Sequence, residues 1–566
     1  MLIFDNRRSL IAFSKELLPI SLALIFFFKV GVLASIRGEN VIFIIVLGYI
    51  AFFYAQRIIN HVFPQFVLYT SFYFVLCFCF FEALRGIVQI LSSFRLNSLV
   101  IPTGDFFYSG PYGGLLAVLI SMLLGYHERI SNLIDKYLIY VTIIISIIPL
   151  LVTGSRSSWV ALIVVVFIYY HKNSNIGSIV HKYKWLLIFL PFLVCLLYFI
   201  KKPSADSRLF ISKINMIALM NSGLDGNGPS TYPGVYGEYQ TRYFLKKLGA
   251  IEETSNKSIK DDCNKVVKSL INNYNPLVSS KITEKERLMS DCPDFAYNEF
   301  MKIGIEYGLL VLGLVIGLMS FSLFELFDKQ SFWKYGLTSI IVFSMFSFPL
   351  NYLSFRLLLI FLISQGYSSP GNRHKSLIIY ESLVCIGIIG VVISHKHEIQ
   401  MRDKSMQLWN SNLKWYKNGR YDYLLEDGDS IIEWYNNPSF LYCYSEALNQ
   451  FGYYEKSDSV LSLCLKYNNK PQYYYLMGNN SIMKGDIENA EKNFSTAFMM
   501  VPNRLKPLYL LAKLYYDNND ICSFVKTANY IESFTPKIEN EETQHFRQEI
   551  QSLIQNINIP INDYKE

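Results

Sequence analysis

The feature that most constrains this chain is a series of apolar runs, each about 15–25 residues long and almost free of charge, such as "FVLYTSFYFVLCFCFF" (66–81) and "YLIYVTIIISIIPLLV" (137–152). A helix needs roughly 20 apolar residues to cross the hydrocarbon of a bilayer. Backbone polar groups there must be satisfied within the segment, so runs of this kind read as helices. About eleven spans are expected, over roughly 17–36, 40–56, 65–91, 111–126, 134–152, 157–171, 185–200, 301–326, 334–350, 352–367 and 376–394. At 52% hydrophobic and 17% charged, a chain of 566 residues with such runs is too apolar for an ordinary soluble enzyme. The expected class is all-α: a polytopic helical membrane protein with water-soluble parts. The net charge of +7 needs no nucleic-acid partner, because membrane proteins collect Lys and Arg in their cytoplasmic loops.

The same bias gives an orientation. With the N-terminus inside, the inner segments hold Arg7, Arg8, Lys15, Arg57, Arg129, Lys136, Lys172, Lys182, Lys184, Lys329, Lys334, Arg373 and Lys375, against Arg37, Arg95 and Arg156 in the short outer loops. This places the loop of about 201–300, and everything after about 395, on the outer face of a bacterial inner membrane, in the periplasm where there is one. The expected division is a transmembrane domain over 1–395 and an outer domain over 396–566. Cys263 and Cys292, the two cysteines of the large loop, could pair in an oxidising compartment.

The tail is a different material. "YYLMGNNSIMKGDIENAEKNFSTAFMMVP" and "LYLLAKLYYDNNDICSFVKTANYIESFTP" align with a period of 34, which pairs Gly478 with Ala512, Ala497 with Ile531 and Pro502 with Pro536. Gly478, Ala490, Phe494, Ala497 and Pro502 stand where a tetratricopeptide repeat places its small residues, aromatic and helix stop. Gly419, Gly452 and Gly485, spaced by 33, extend the pattern upstream. The expectation is an α-solenoid of three to four repeats, a surface suited to a protein partner.

Several polar groups stand out in the apolar part. Arg156, in "LLVTGSRSSWVALIVVV", is either a boundary residue or a group that holds an anion at headgroup level. Glu82 and Arg85 are spaced to pair on one helix face. Arg356, one turn inside its span, is equally readable as a structural partner or a functional cation. In the large loop, Gly226 and Gly228 mark a tight turn whose N–H groups could face an anion. Tyr232, Tyr236, Tyr239 and Tyr243 recur at helical spacing; such a stripe packs a helix onto the bundle more readily than it stacks on sugars. No Walker motif or metal-ligand set is apparent, so no cofactor and no metal are expected.

Taken together, "SGPYGGLLAVL", "TGSRSSWVAL", "SADSRLFISKINMI", "LDGNGPSTYPGVYGEYQTRYF" and "AYNEFMKIGIEYGLLVLGL", in this order around one large loop, resemble the O-antigen ligase and O-antigen polymerase superfamily over roughly residues 80–325. The resemblance implies a polyprenyl-diphosphate-linked glycan as donor, inverting and metal-independent transfer at the outer membrane face, and release of polyprenyl diphosphate. It implies that Arg156, with Ser155 beside it, and Arg208 hold the donor diphosphate. Ligases of this kind carry a His before the Asn of the last motif; here Tyr297 precedes Asn298 and Glu299. The acceptor-activating base is therefore open between Glu299 and Asp294, or transfer rests on leaving-group stabilisation. Lipid A core, an exported protein and a second lipid-linked repeat unit compete as acceptors. A glycan-lipid flippase, expected to show repeated and broken spans, and a non-catalytic anchor for the repeats are the rivals from other classes.

Overall fold

The computed structural model describes residues 40–95, 101–170, 202–250, 259–272, 282–367 and 375–556. Among them the regular elements are helices alone. The apolar part contains α1 (Asn40–Val62), α2 (Pro64–Arg95), α3 (Ser109–Arg129), α4 (Leu133–Val152) and α5 (Arg156–Tyr170). The large loop contributes α6 (Lys202–Asn221), α7 (Tyr232–Lys247), α8 (Ile259–Asn272) and α9 (Glu284–Met289), after which α10 (Glu299–Asp328), α11 (Lys334–Ser344), α12 (Leu353–Tyr367) and α13 (Lys375–Ser394) return to the bundle.

Five helices, α1 to α4 and α10, are long and apolar enough to cross a membrane, or six if α13 is counted with the helix that follows it at a bend of 54°. The expected spans at 17–36 and 185–200 lie outside the described residues. Helices α5 and α12 are each 15 residues long. The expected span at 334–350 stops short: α11 ends at Ser344, and Pro349 opens a single 3-10 turn, Pro349–Asn351. Proline restricts the residue before it and lacks an N–H, which disfavours a continuing helix there.

Helix α3 is the hub of the bundle, with 83% of its apolar window buried, against 22–33% for the other four spans. Small residues allow this. A Cβ on Gly114 would sit 2.1 Å from the Phe343 ring, so only a glycine lets α11 approach so closely. Around this core, large apolar side chains such as Phe66, Phe74, Phe81, Ile144 and Phe324 stay exposed, as lipid-facing positions require. Arg57, read above as a loop cation, is instead buried in the bundle 3.2 Å from Glu381. Glu82 and Arg85 do pair, at 2.9 Å.

The tail begins with α14 (Lys396–Lys417) and continues as α15 (Asp422–Ile432), α16 (Pro438–Gln450), α17 (Tyr454–Tyr467), α18 (Pro471–Met483), α19 (Ile487–Met500), α20 (Lys506–Asp517), α21 (Ile521–Ser533) and α22 (Glu541–Asn556). These are four helix pairs and a closing helix. Gly419, Gly452 and Gly485 each hold the short link within a pair at positive φ, and Asn519 takes that place in the fourth pair. A Cβ on Gly478 would lie 2.2 Å from the Phe494 ring, while Ala490, Phe494 and Ala497 are wholly buried, so the repeat positions do serve close helix packing.

The loop helices and the tail share one hydrophobic core. Phe210, Tyr232, Tyr236 and Phe244 pack in the same cluster as Phe494, Phe498, Leu511 and Phe524. Helix α8 enters it with Cys263, Val267, Leu270 and Ile271, spaced to lie on one face of the helix. Polar contacts extend the union: Gln240 Nε2 donates to the Met500 carbonyl at 2.6 Å, and the buried Arg287 donates to the carbonyls of Thr535 (2.6 Å) and Pro502 (3.3 Å). Cys263 and Cys292 remain free thiols, so the pairing considered for them is not formed.

Candidate functional site

Contacts at the two ends of the bundle fix where the loops meet. At one end Tyr335 donates to Glu128; at the other, Phe106 meets Tyr352 and Arg208 reaches Phe346. This second end also receives the large loop. It holds a cavity of about 540 Å³ lined by Tyr108 to Pro111, Thr153 to Ser157, Ser204, Ser207, Arg208, Asp291 to Phe295, Tyr297, Phe348 and Lys537, among others. Four separate motifs of the sequence thus converge on one space, and Lys537 comes from the tail.

The wall formed by Thr153 to Ser157 is built by a tight turn. Gly154, at φ 61°, reverses the chain between α4 and α5. Thr153 Oγ1 donates to Leu150 O at 2.7 Å and accepts from Ser155 N at 3.3 Å, and Ser155 Oγ lies 2.6 Å from Ser158 Oγ. The Ser155 carbonyl accepts the first bonds of α5, from Ser158 and Trp159. The start of α5 therefore borders the cavity, where first-turn N–H groups lack intrahelical acceptors and the helix dipole favours an anion. Gly113 makes room for this turn: its Cβ would fall 2.8 Å from Thr153 Oγ1.

Arg208 faces the same space from α6. Its guanidinium lies over the Tyr297 ring, 4.6 Å from the centroid, and donates to Phe346 O at 3.4 Å. Burial holds its pKa below the ordinary arginine range; Tyr297 opposes that shift and the nearby charge of Arg156 adds to it. Two guanidiniums close enough to repel one another across a cavity favour an anion between them. Tyr297 sits at φ 53°, a conformation costing a non-glycine residue about 1–3 kcal/mol. Its phenol is pushed up by burial, against the pull of Arg208, so it stays protonated at neutral pH and is not a base. Phe295 and Phe348 stack at 4.0 Å beside it, with Tyr108 edge-on to both. An aromatic wall facing a cationic one suits a ligand with sugar rings and an anionic group.

Of the residues singled out in the sequence, Ser155, Arg156, Arg208, Asp294 and Tyr297 line the cavity. Asp294 pairs with Lys470 of the tail at 2.8 Å. The others lie elsewhere, each with a structural task. The Asn298 side chain caps α10 by accepting from Met301 N at 3.0 Å. Glu299, 2% exposed, accepts from Leu350 N at 2.8 Å and so anchors the Pro349–Asn351 turn. Arg356 donates to the carbonyls of Leu350 and Asn351 and to the Tyr49 hydroxyl. Tyr239 packs against the shared loop–tail core.

Gly226 and Gly228 do not form an anion nest. Helix α10 is broken at Gly308 (φ 85°, ψ 170°), and the turn at 222–228 fills the break: Asn227 N and Gly228 N donate to the carbonyls of Ile305 (3.1 Å) and Glu306 (2.8 Å), while Leu309 N donates to Gly223 O (3.0 Å). A Cβ on Gly226 would fall 2.4 Å from Gly308 N. Reading the sequence missed Asp291 and Lys537 as members of the cavity. Asp291 lies in "DCPD" beside a residue that was singled out; Lys537 carries no local signal. No protein-family model matches the sequence, and no curated protein or solved structure matches it.

Proposed function

We propose that this chain is a membrane glycan transferase, similar to O-antigen ligases, that moves a glycan from a polyprenyl-diphosphate carrier to an acceptor hydroxyl at the outer face of the bacterial inner membrane. The observation that carries this reading is the meeting of Arg156, Arg208 and the start of α5 in one cavity at the end of an apolar bundle. A lipid diphosphate sits at that level, with its chain among the spans and its glycan in the cavity. The acceptor oxygen attacks the anomeric carbon, the bond from that carbon to the diphosphate oxygen breaks, and the configuration inverts. Polyprenyl diphosphate departs with the bonding electron pair.

In this mechanism Arg156 and Arg208 neutralise charge that grows on the leaving group, the part a metal ion plays in other transferases; planar guanidiniums bind such oxygens bidentately. Asp294 takes the acceptor proton. It is the one of the two candidate bases that borders the cavity, where its pairing with Lys470 at 2.8 Å holds the carboxylate in place. Glu299 and Asn298 act by holding the floor of the site, as positioning residues. The outer orientation rests on the charge bias of the loops, and the tetratricopeptide-like reading of the tail on its period and its four helix pairs. Lipid A core, an exported protein and a second repeat unit are all chemically admissible as acceptors. A flippase would use a broken span as its substrate site, whereas the break at Gly308 is filled by the chain's own turn.

The test is deletion of the gene, followed by parallel blots of lipopolysaccharide, capsule and glycoproteins and by measurement of the lipid-linked glycan. One glycan class should lose its attachment while the lipid-linked donor accumulates outside. Unchanged glycans in all three would refute the transferase reading.

A further inference from the structure

Beside the cavity runs a second space, a groove of about 570 Å³, and its lining follows a rule. The first helix of successive tail pairs contributes, with Tyr442 and Glu446 from α16, Gln472, Tyr475 and Asn479 from α18, and Lys506 from α20; the closing α22 adds Glu542. At one end the groove is bounded by Asp291 and Lys537, the two residues that also line the donor cavity. The two spaces are thus neighbours that share that pair as a common wall.

The groove's chemistry selects an occupant. Its charges balance: Arg504 lies 3.4 Å from Asp291 and Lys506 3.2 Å from Glu542, and Lys537 is offset in sign by Glu446, which accepts from the Tyr416 hydroxyl. A wall whose charges sum to zero favours a neutral occupant over a phosphorylated core oligosaccharide, which draws on an excess of cations. Gln472 and Asn479, both exposed on the α18 face, each offer an amide donor and acceptor, the complement of a peptide backbone. The rings of Tyr442 and Tyr475 provide flat surfaces between them. Resting on the transferase reading above, we propose that this groove binds the acceptor and that the acceptor is an extended polypeptide. A Ser or Thr hydroxyl of that chain is presented past Asp291 and Lys537 to the anomeric carbon; its oxygen forms the new glycosidic bond, and its proton passes to Asp294.

The test uses the full-length protein in cells lacking the native copy, with three forms compared: wild type, the double variant Gln472→Ala/Asn479→Ala, and Arg208→Ala. The double variant alters only exposed side chains, and blotting confirms equal protein levels. Glycan on periplasmic proteins, glycan on lipopolysaccharide and the lipid-linked donor are measured in each. The proposal expects the double variant to lose at least tenfold of the glycan on proteins, to leave lipopolysaccharide unchanged and to accumulate donor, as Arg208→Ala does. Wild-type protein glycosylation in the double variant overturns the groove assignment. Loss of glycan from lipopolysaccharide instead identifies an oligosaccharide acceptor and overturns the polypeptide, while the transferase reading stands. Full transfer in Arg208→Ala overturns both.

Discussion

Arg287→Ala should separate the loop from the tail. The Arg287 side chain is 4% exposed, donates to Glu284 at 2.6 and 2.9 Å, reaches the Thr535 and Pro502 carbonyls of the tail, and lies 5.2 Å from the Phe534 ring centroid. Glu284 is half-exposed and its half of the ion pair counts for little. The two tail carbonyls matter more, because each would be left without a donor at about 1–3 kcal/mol. With the lost packing on Phe534, the total is about 3–5 kcal/mol, the usual cost of breaking a buried charged contact. For an extramembrane body of roughly 250 residues, 1 kcal/mol moves the midpoint by about 2–4 °C, so the expected fall in Tm is roughly 6–20 °C. Thermal unfolding followed by hydrogen exchange at 282–298 and 530–540 reads it directly. Arg287→Lys should recover part of the loss. A midpoint unchanged within about 1 °C would show that the loop and tail are not held together as argued.

Other substitutions probe the site and its supports. Asp294→Asn should lower transfer by about 10²–10⁴, the usual worth of a general base, whereas Tyr297→Phe and Glu299→Gln should stay within about threefold, as the ring over Arg208 and the acceptor for Leu350 N are kept; initial rates in solubilised membranes check all three. Gly308→Ala forces a side chain into a left-handed backbone 2.1 Å from Leu224 O, so destabilisation of at least about 1–3 kcal/mol and low accumulation are expected. Glu286 gives a pH test: burial pushes its carboxyl up, but bonds from Lys213, Tyr243 and the Thr283 N–H hold it down to about 2. A depressed carboxylate stabilises fully above its unfolded value near pH 4.3 and loses that contribution as pH falls toward about 2. The urea midpoint of wild type should therefore fall more steeply below about pH 4.5 than that of Glu286→Gln.

The helical class was legible because apolar length and a 33–34-residue period are local signals that reach the structure unchanged. The glycines at 419, 452 and 485 turned out to mark the links within pairs, and the tail could have been extended by noticing that Asn519 continues their spacing. What misled was polarity without an address. Arg356, Glu299 and Asn298 are polar near the right end of the bundle, but their partners are backbone groups of turns and helix starts, with the distant Tyr49 hydroxyl for Arg356, and no spacing discloses them. Gly226 and Gly228 announced a tight turn correctly, and only the break in α10, 80 residues on, explains whose carbonyls the turn satisfies. Lys537 was invisible for the same reason: it lies more than 200 residues from the motifs whose cavity it lines.

The claim that Arg156 and Arg208 hold a lipid diphosphate is tested most directly by binding of polyprenyl diphosphate, the expected product, to the purified full-length protein in detergent. Hydrogen bonds to charged groups contribute about 1.5–3 kcal/mol each, and 1.4 kcal/mol is a factor of ten, so Arg156→Ala and Arg208→Ala should each weaken Kd by roughly tenfold to a hundredfold. Lys at either position should restore part of it by returning the charge without the planar fork. Arg356→Ala, outside the cavity, should leave Kd unchanged when corrected for folded protein. Wild-type affinity in both cavity variants, or a loss confined to Arg356→Ala, would contradict the assignment.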